Sequence, residues 1–283
     1  MLHAAVVVCL LAAPSPVPIA DLVGQLEACQ DEACAPYVAL IARGAAVWPD
    51  LAAGLDAPAE MTRFWTIGVL AAVKLPAARE RLVGVLQGEP LVRVRAAAAF
   101  ALGNLGKGDA SEAVVKALVT AADDKDVNVR FEAISALARL GPPGVTATFI
   151  KAVRDHDEDV RIEAIDALAA LADPAARAVL EERLQEDLKP GVRGHAAIAL
   201  GNLKGPESVP LLLVRLGRER HPEALAAACW ALGALGDARA VEPLKALLTH
   251  KEAVVRQQAT DALALLATPP APAPVPTPAP PTR

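Results

Sequence analysis

Apolar residues recur along most of the chain with the period of an α-helix, in blocks spaced about 31 to 35 residues apart. A leucine stands seven positions after the start of every block, and an alanine stands three positions after it in all blocks but the first. Positions three, seven and ten of a helix lie on one face. Each block therefore predicts one helix with a buried stripe. Its start is marked by an anchor residue, and the anchors are Arg63, Arg95, Arg130, Arg161, Arg193, Leu225 and Arg256.

A second helical segment precedes most of the anchored helices, and several of these segments begin at a proline, which the first helical turn tolerates. Self-similarity at a fixed period of this length is typical of helical solenoids. The sequence predicts an all-α fold, a right-handed α-solenoid of helix pairs with an atypical N-terminal cap. The second helices are expected at Pro76–Gln87, Asp109–Ala122, Pro143–Arg154, Pro174–Gln185, Pro206–Leu216 and Ala238–Leu248.

Composition divides the chain into four parts. Residues 1–20 contain a ten-residue apolar run followed by prolines, which favours a cleaved signal peptide over an apolar first helix of the solenoid. Residues 21–58 lack the repeat pattern and are predicted to form the cap, with short helices at Asp21–Ala33, Pro36–Gly44 and Ala46–Leu55. Residues 59–267 form the solenoid. Residues 268–283 are half proline, so they favour extended polyproline II and a surface spacer, with a ligand for a proline-binding domain as the alternative.

The pattern V-R-x-x-A-x-x-A-L-x-x-L-G, best seen at Val94–Gly106 and Val129–Gly141, resembles the HEAT repeat family. It is most similar to the short HEAT-like repeats of phycobilin lyases, and the resemblance covers roughly residues 60–267. It implies that turn acids such as Asp126 and Asp157 hydrogen-bond to the anchor arginines of adjacent repeats. It also implies that the repeat of Leu225, which lacks the arginine, is joined by packing alone.

Charge and hydropathy exclude two classes of partner. A net charge of −5 gives no basic footprint for nucleic acid. No apolar run reaches the roughly 18 residues of a membrane span, so we expect no transmembrane segment.

The cysteines leave one question open. Cys29 and Cys34 are five residues apart, which on a continuous helix places their Cα atoms near 8–9 Å, beyond the usual disulfide limit of about 7 Å. A bond between them requires the helix to break, which nearby Pro36 permits. A disulfide and two free thiols remain equal alternatives.

No nucleophilic triad, carboxylate pair or metal-binding cluster follows from the spacing, so the sequence predicts no catalytic residues, no metal and no cofactor. The acidic run Asp155–Asp159 is interpreted as a solvated turn. Positions five and nine after each anchor are expected to line the concave face, where they bind a partner or, for the aromatics, pack as core. The partner-binding candidates are Phe100, Asn104, His195, Ile198, Asn202 and Trp230.

These patterns favour a non-enzymatic scaffold, a monomer that binds a protein along its concave face. The signal-like N-terminus places it outside the cytoplasm, in the periplasm, the cell envelope or the medium; without cleavage it is cytoplasmic. The alternative from another class is an enzyme or enzyme subunit that resembles the bilin lyases, works in the cytoplasm and needs a tetrapyrrole pocket.

Overall fold

The computed structural model describes residues 17–48, 50–106 and 110–267, and all regular elements in those ranges are helices. Most of the predicted signal peptide and the whole proline-rich segment lie outside the described residues, so cleavage and export stay predictions. Among the described residues, no helix is long and apolar enough to cross a membrane.

The chain forms two compact units, residues 1–168 and residues 169–283. The helices of unit 1 are α1 Ile19–Gln25, α2 Ala35–Ala42, α3 Asp50–Gly54, α4 Glu60–Val73, α5 Arg79–Gly88, α6 Val92–Asn104, α7 Glu112–Ala121, α8 Val127–Leu140, α9 Thr146–Ala152 and α10 Glu158–Leu171, whose last turn passes the boundary. The helices of unit 2 are α11 Arg177–Glu186, α12 Pro190–Asn202, α13 Val209–Arg218, α14 Pro222–Leu235, α15 Val241–Ala246 and α16 Ala253–Ala267. The anchors lie on the even-numbered helices from α4 to α16.

The N-terminal cap differs from its prediction in helix length. The first helix ends in a 3₁₀ turn at Leu26–Ala28 instead of reaching Ala33, and the third is divided into a 3₁₀ turn, Gly44–Val47, and α3. Cys29 lies extended after the first of these turns, and Cys34 precedes α2. Without a repeat, these elements had no periodic signal that fixes their ends.

Packing within each unit follows the predicted stripe. In α6, α8, α12 and α14, the alanine three positions and the leucine seven positions after the anchor are fully buried, for example Ala133 and Leu137. Helix α6 packs on α8, and α14 packs on α12 and α16. Glycine permits a close approach at these contacts: a Cβ on Gly103 would lie 2.7 Å from the Cα of Ala136, and one on Gly233 equally close to Ala262.

The anchor arginines join successive turns by a recurring hydrogen-bond pattern. Arg130 donates from Nη1 to the carbonyls of Asp124 and Lys125 in its own turn. Its Nε and Nη2 donate to the two carboxylate oxygens of Asp155 in the next turn, both at 2.8 Å. Bidentate pairs of this kind are strong and directional. The same arrangement links Arg63 to Glu89, Arg95 to Asp124 and Arg193 to Glu219.

The acids that form these pairs are not the expected ones. Asp126 and Asp157 accept backbone N–H groups at the start of their own helices, which is the usual capping role of aspartate. The inter-repeat partners stand two residues earlier, where Asp124 and Asp155 also accept the N–H of the cap residue. Burial opposes ionisation, but hydrogen bonds from Arg130 and from the Asp157 amide hold the pKa of Asp155 below its usual value.

The repeat of Leu225 departs from the pattern on both sides of the contact. Leu225 is 3% exposed and has no polar group to donate. In the next turn, His250 stands where the other repeats have the acid, and its Nδ1 accepts the N–H of Glu252. The arginine and its acid are therefore replaced together, and α14 meets α16 through the close contact of Gly233 with Ala262.

We predict that Arg130→Ala lowers the free energy of unfolding by about 2–4 kcal/mol, because it leaves the mostly buried Asp155 carboxylate unpaired. The side chains of Arg130 and Asp155 are only 16% and 12% exposed. Arg81→Ala is the matched control, since Arg81 and its partner Asp56 are 45% and 71% exposed. The control is expected to cost less than about 1 kcal/mol. Urea unfolding followed by circular dichroism measures both, and equal costs would contradict a special role of the anchor pairs.

Acid should weaken the arginine–carboxylate pairs between successive turns, and Glu219 provides the clearest test. Burial opposes ionisation, but hydrogen bonds from Arg193, the His221 amide and Arg215 lower its pKa from the ordinary 4.5. A carboxyl with a lowered folded-state pKa stabilises the fold above the unfolded-state pKa, and this contribution is lost as the pH falls through the folded value. The stability difference between the wild type and Glu219→Gln should thus be largest above about pH 5 and shrink below pH 4. A stability difference that does not change with pH would show that the charge of Glu219 contributes nothing to the stability of the fold.

Candidate functional site

Unit 1 contains a groove of about 1260 Å³ formed by α2, α4, α6, α8 and the loop before α2. Four of the eight aromatic residues of the chain line it: Tyr37, Phe64, Trp65 and Phe100. This concentration is unusual for a chain with 3% aromatic residues. Ligand sites are typically concave and apolar with a few polar groups, so the groove is the candidate site of unit 1.

Small residues on α4 and α6 leave room for the groove. Gly68, Ala72, Ala96 and Ala97 line the groove on α4 and α6. A Cβ on Gly68 would lie 3.2 Å from the ring of Tyr37, tighter than an ordinary contact. Glycine at this position lets the tyrosine ring of α2 pack directly against the backbone of α4.

Three of the aromatic rings form one cluster at the end of the groove near the cap. Trp65 makes edge contacts with Tyr37 at 5.2 Å and with Phe64 at 5.1 Å between ring centroids. Its indole N–H donates to the carbonyl of Cys29 at 3.0 Å. The Trp65 ring is thereby fixed between α2 and the cap loop.

A disulfide closes this loop. Cys29 and Cys34 are bonded, with their Cα atoms 5.5 Å apart, and the helix is interrupted between them as the bond requires. Glu32, between the two cysteines, lines the groove. The bond therefore fixes both the loop that supplies Glu32 and the carbonyl that accepts from Trp65. The third described cysteine, Cys229, is a buried free thiol whose pKa burial raises to about 12.

Helices α6 and α8 contribute amide and carboxyl groups to the lining, namely Asn104, Asn128 and Glu132, and Arg139 lies beside them on α8. The guanidinium of Arg139 lies 5.1 Å from the centroid of the Phe100 ring and donates to Ser135 Oγ. Burial, with the charge of Glu163, raises the pKa of Glu132, although Arg139 opposes this. Glu132 is a groove carboxyl that holds a proton more readily than an exposed glutamate does.

Two cations and one phenol complete the polar groups. Lys74 and Arg93 are exposed at the groove, and Arg93 lies over the Phe64 ring, 5.7 Å from its centroid. Burial, and then the charge of Glu32, raises the pKa of Tyr37 to about 12, so the phenol stays protonated at neutral pH and can donate a hydrogen bond. The groove can thus stack a flat apolar ligand and bind its carboxylates at Lys74 or Arg93.

The structure separates the partner-binding residues predicted from the sequence. Phe100 and Asn104 line the groove of unit 1. Ile198, Asn202 and His195 lie on α12 of unit 2, with Ile198 37% exposed and His195 half-buried. Trp230 on α14 is half-buried and covers Gly201, where a Cβ would lie 2.8 Å from the indole ring. That these four residues bind a partner stays a prediction.

The spacing along the chain did not predict five of the groove residues: Tyr37, Phe64, Trp65, Lys74 and Arg93. Four of them belong to the cap or the first repeat, where the pattern is weakest, and Arg93 stands two positions before its anchor, outside the rows used for the concave face. The scarcity of aromatic residues was the available signal, because half of them fall between Tyr37 and Trp65. The described residues contain no group of His, Cys, Asp and Glu able to hold a metal ion.

Comparison with known families agrees with this architecture. A family model of HEAT repeats matches residues 115–197 and 185–264, and the model of the PBS lyase HEAT-like repeat matches residues 94–124. The chain belongs to the HEAT repeat family. The lyase-type match includes α6, which supplies Phe100 and Asn104 to the groove.

Individual relatives are similar over different parts of the chain. Bilin biosynthesis protein PecE of Mastigocladus laminosus is 40% identical over 75 residues, 26% of this chain and 28% of PecE. The match therefore spans little more than a quarter of that relative. E. coli YibA is 20% identical with a TM-score of 0.66, covering 86% of this chain and 96% of YibA. Importin beta is 18% identical with a TM-score of 0.65, covering 87% of this chain and 39% of importin beta. The last two show the fold alone.

The expectation that the chain is not an enzyme is wrong. The match to the PBS lyase HEAT-like repeat and the partial sequence similarity to PecE point towards a lyase-like enzyme. Spacing along the sequence did not indicate an enzyme. The groove is lined by inner positions of several helices and by the cap, and no single sequence motif contains all of these residues.

We predict that Cys29→Ser/Cys34→Ser lowers the free energy of unfolding by about 2 kcal/mol, the loop-closure effect of a bond that spans so few residues. Thermal melts with and without a phosphine reductant measure it. Reduction should lower the melting temperature of the wild type to that of the double variant and leave the variant unchanged. Cys229→Ala is the control that keeps the bond and should still respond to the reductant. A reductant effect on the double variant would assign the response to another group.

Proposed function

We propose that this chain is a lyase-like enzyme or enzyme subunit that binds a bilin, an open-chain tetrapyrrole, in the groove of unit 1. The observation that carries the proposal is the aromatic groove beside a helix that matches the PBS lyase HEAT-like repeat. The similarity to PecE, whose name assigns it to bilin biosynthesis, supports the same ligand class.

The lining of the groove fits the chemistry of a bilin. Its conjugated pyrrole rings are flat and apolar, and the half-buried rings of Phe64 and Phe100 offer surfaces for stacking. Its propionate carboxylates suit Arg93 and Lys74, since guanidinium and ammonium groups pair with carboxylates. The protonated phenol of Tyr37 can donate to a terminal carbonyl of the tetrapyrrole, and the carboxyl of Glu132 can pair with a pyrrole nitrogen.

A lyase of this kind also needs an acceptor protein. HEAT repeats typically mediate protein interactions, and the described part of unit 2 exposes Ile198 and Asn202 on α12. We propose that this surface, with Trp230 on α14, contacts the acceptor while unit 1 holds the bilin.

We predict that biliverdin added to the full-length protein shows a shifted absorbance band and induced circular dichroism, because stacking fixes one conformation of a flexible pigment. Phe100→Ala and Arg93→Ala should each weaken binding about tenfold or more, as loss of an aromatic or charged contact does in a binding hot spot. Phe131→Ala and Arg81→Ala are matched controls, because both residues lie outside the groove.

The controls should bind biliverdin like the wild type, and thermal melts establish that each variant is folded. Absence of any spectral change, or unchanged affinity in folded Phe100→Ala and Arg93→Ala, would remove the bilin site from unit 1. Covalent transfer is tested by adding an acceptor apoprotein and following pigment that stays attached after denaturation. Transfer only with Ile198 and Trp230 intact would support the acceptor surface on unit 2.

A further inference from the structure

The cap loop that borders the groove of unit 1 is closed by one covalent bond. The disulfide joins Cys29, which lies extended after a 3₁₀ turn, to Cys34, which precedes α2. Glu32 lies within this loop and lines the groove, and Tyr37 lies three residues after Cys34 on α2 and lines it as well. The bond therefore fixes the part of the backbone that supplies two of the lining residues.

The same loop holds the aromatic ring cluster in place. The carbonyl of Cys29 accepts the indole N–H of Trp65 at 3.0 Å, and the Trp65 ring contacts the rings of Tyr37 and Phe64. Cys29, Tyr37 and Trp65 are all buried. A shift of the Cys29 carbonyl would leave the buried indole N–H without its acceptor, which costs free energy unless the ring moves too. The position of Cys29 is thus linked to the shape of the groove through Trp65.

The rest of the loop is held weakly. The four residues between the two cysteines are exposed. Two hydrogen bonds lie within the loop, where Asp31 accepts the N–H of Ala33 with Oδ1 and the N–H of Cys34 with its carbonyl. A short exposed segment of this kind regains conformational freedom once its cross-link is broken. The disulfide is therefore the contact that keeps the loop against the groove.

The two sulfurs differ in their access to a reductant. Cys34 is half-buried, whereas Cys29 is only 3% exposed. A thiolate of an external dithiol therefore attacks Cys34 Sγ and forms a mixed disulfide, while Cys29 leaves as a thiolate and takes up a proton. The second thiol of the reagent then displaces Cys34 as a thiol, and the reagent ends as a disulfide. Two electrons and two protons have passed from the dithiol to the protein, and the oxidised reagent reverses the exchange.

We propose that the Cys29–Cys34 pair is a redox switch of the groove. With the bond intact, the loop holds Glu32, Tyr37 and Trp65 in place, and the groove binds its ligand tightly. Reduction by a dithiol frees the loop and lowers the affinity of the groove for its ligand, while the repeat helices stay folded. That this ligand is a bilin rests on the proposed function, whereas the response of the groove to reduction does not.

The first measurement needs no ligand. The full-length protein carries Cys9→Ser and Cys229→Ala, so that Cys29 and Cys34 are its two remaining cysteines. Hydrogen exchange of the Trp65 indole N–H is followed by NMR with and without dithiothreitol, and Trp65→Phe assigns the signal. We expect reduction to speed this exchange about tenfold or more, with unchanged far-UV circular dichroism. Equal exchange rates in the two redox states, or loss of the helical signal on reduction, would overturn the proposal.

The second measurement uses biliverdin as the probe of the groove. Its affinity for the same protein should fall about tenfold on reduction and recover when the bond is formed again, a coupling of ordinary size. Cys29→Ser/Cys34→Ser should bind biliverdin like the reduced protein and give the same affinity with and without dithiothreitol.

Arg193→Ala is the control for a general loss of stability. It removes the pair with Glu219 in unit 2 and keeps the disulfide, so its biliverdin affinity should match that of its parent and still fall on reduction. Biliverdin binding weakened in Arg193→Ala as much as by reduction would assign the effect to stability and overturn the switch.

The two measurements separate this inference from the proposed function. Biliverdin affinity that is the same in both redox states overturns the switch and leaves the bilin site standing. Redox-dependent exchange of the Trp65 indole N–H without any biliverdin binding rejects the bilin and leaves the control of the groove by the disulfide standing.

Discussion

The bidentate contact between an anchor arginine and the carboxylate of the next turn is the constraint on which the repeats depend. In Arg130, Nη1 donates to two carbonyls of its own turn, and Nε and Nη2 donate to the carboxylate of the next turn. A planar fork imposes both distance and direction, which a lysine at the same position would not do. The pair therefore sets the register of one helix pair on the next, while the alanine and leucine stripe supplies the buried area. The joint replacement of the arginine by Leu225 and of the acid by His250 shows the two groups acting as a unit, because either one alone would leave a polar group without its partner.

The sequence predicted the periodic part of this structure well and the irregular part poorly, for a physical reason. Helical stripes repeat because each helix must bury the same face, so the anchors and buried leucines follow from spacing. The identity of the pairing acids did not follow, since a turn with several aspartates offers two roles, capping and bridging. In the folded protein Asp126 caps its helix while Asp124 accepts from Arg95. The cap, the disulfide and the position of Tyr37 lack any repeat from which they could be extrapolated.

The groove arises where the constraint on side chains is weakest. Positions five and nine after the anchor take no part in the buried stripe, so they are free to vary: Gly68 and Ala72 on α4, Phe100 and Asn104 on α6. Small residues on α4 leave room, and the cap fills part of it with Tyr37, while Trp65 reaches across to the disulfide loop. A regular array would present the same shallow surface at every repeat. The departure of the cap from the repeat turns one part of that surface into an aromatic groove.

Helix α16 of unit 2 differs from the other anchored helices at the position four residues after the anchor. Four positions after the anchor, the inner helices carry fully buried apolar residues such as Ile134 on α8 and Cys229 on α14. On α16 the equivalent residue is Thr260, which is exposed and donates to the carbonyl of Arg256. Gln257 donates to Asp261 on the same helix, so both of these exposed polar side chains are satisfied within α16. The cap of unit 1 and α16 of unit 2 therefore depart from the repeat in different ways. The cap contributes Tyr37 and the disulfide loop to the groove, whereas α16 replaces a buried apolar residue with an exposed threonine that donates to its own helix.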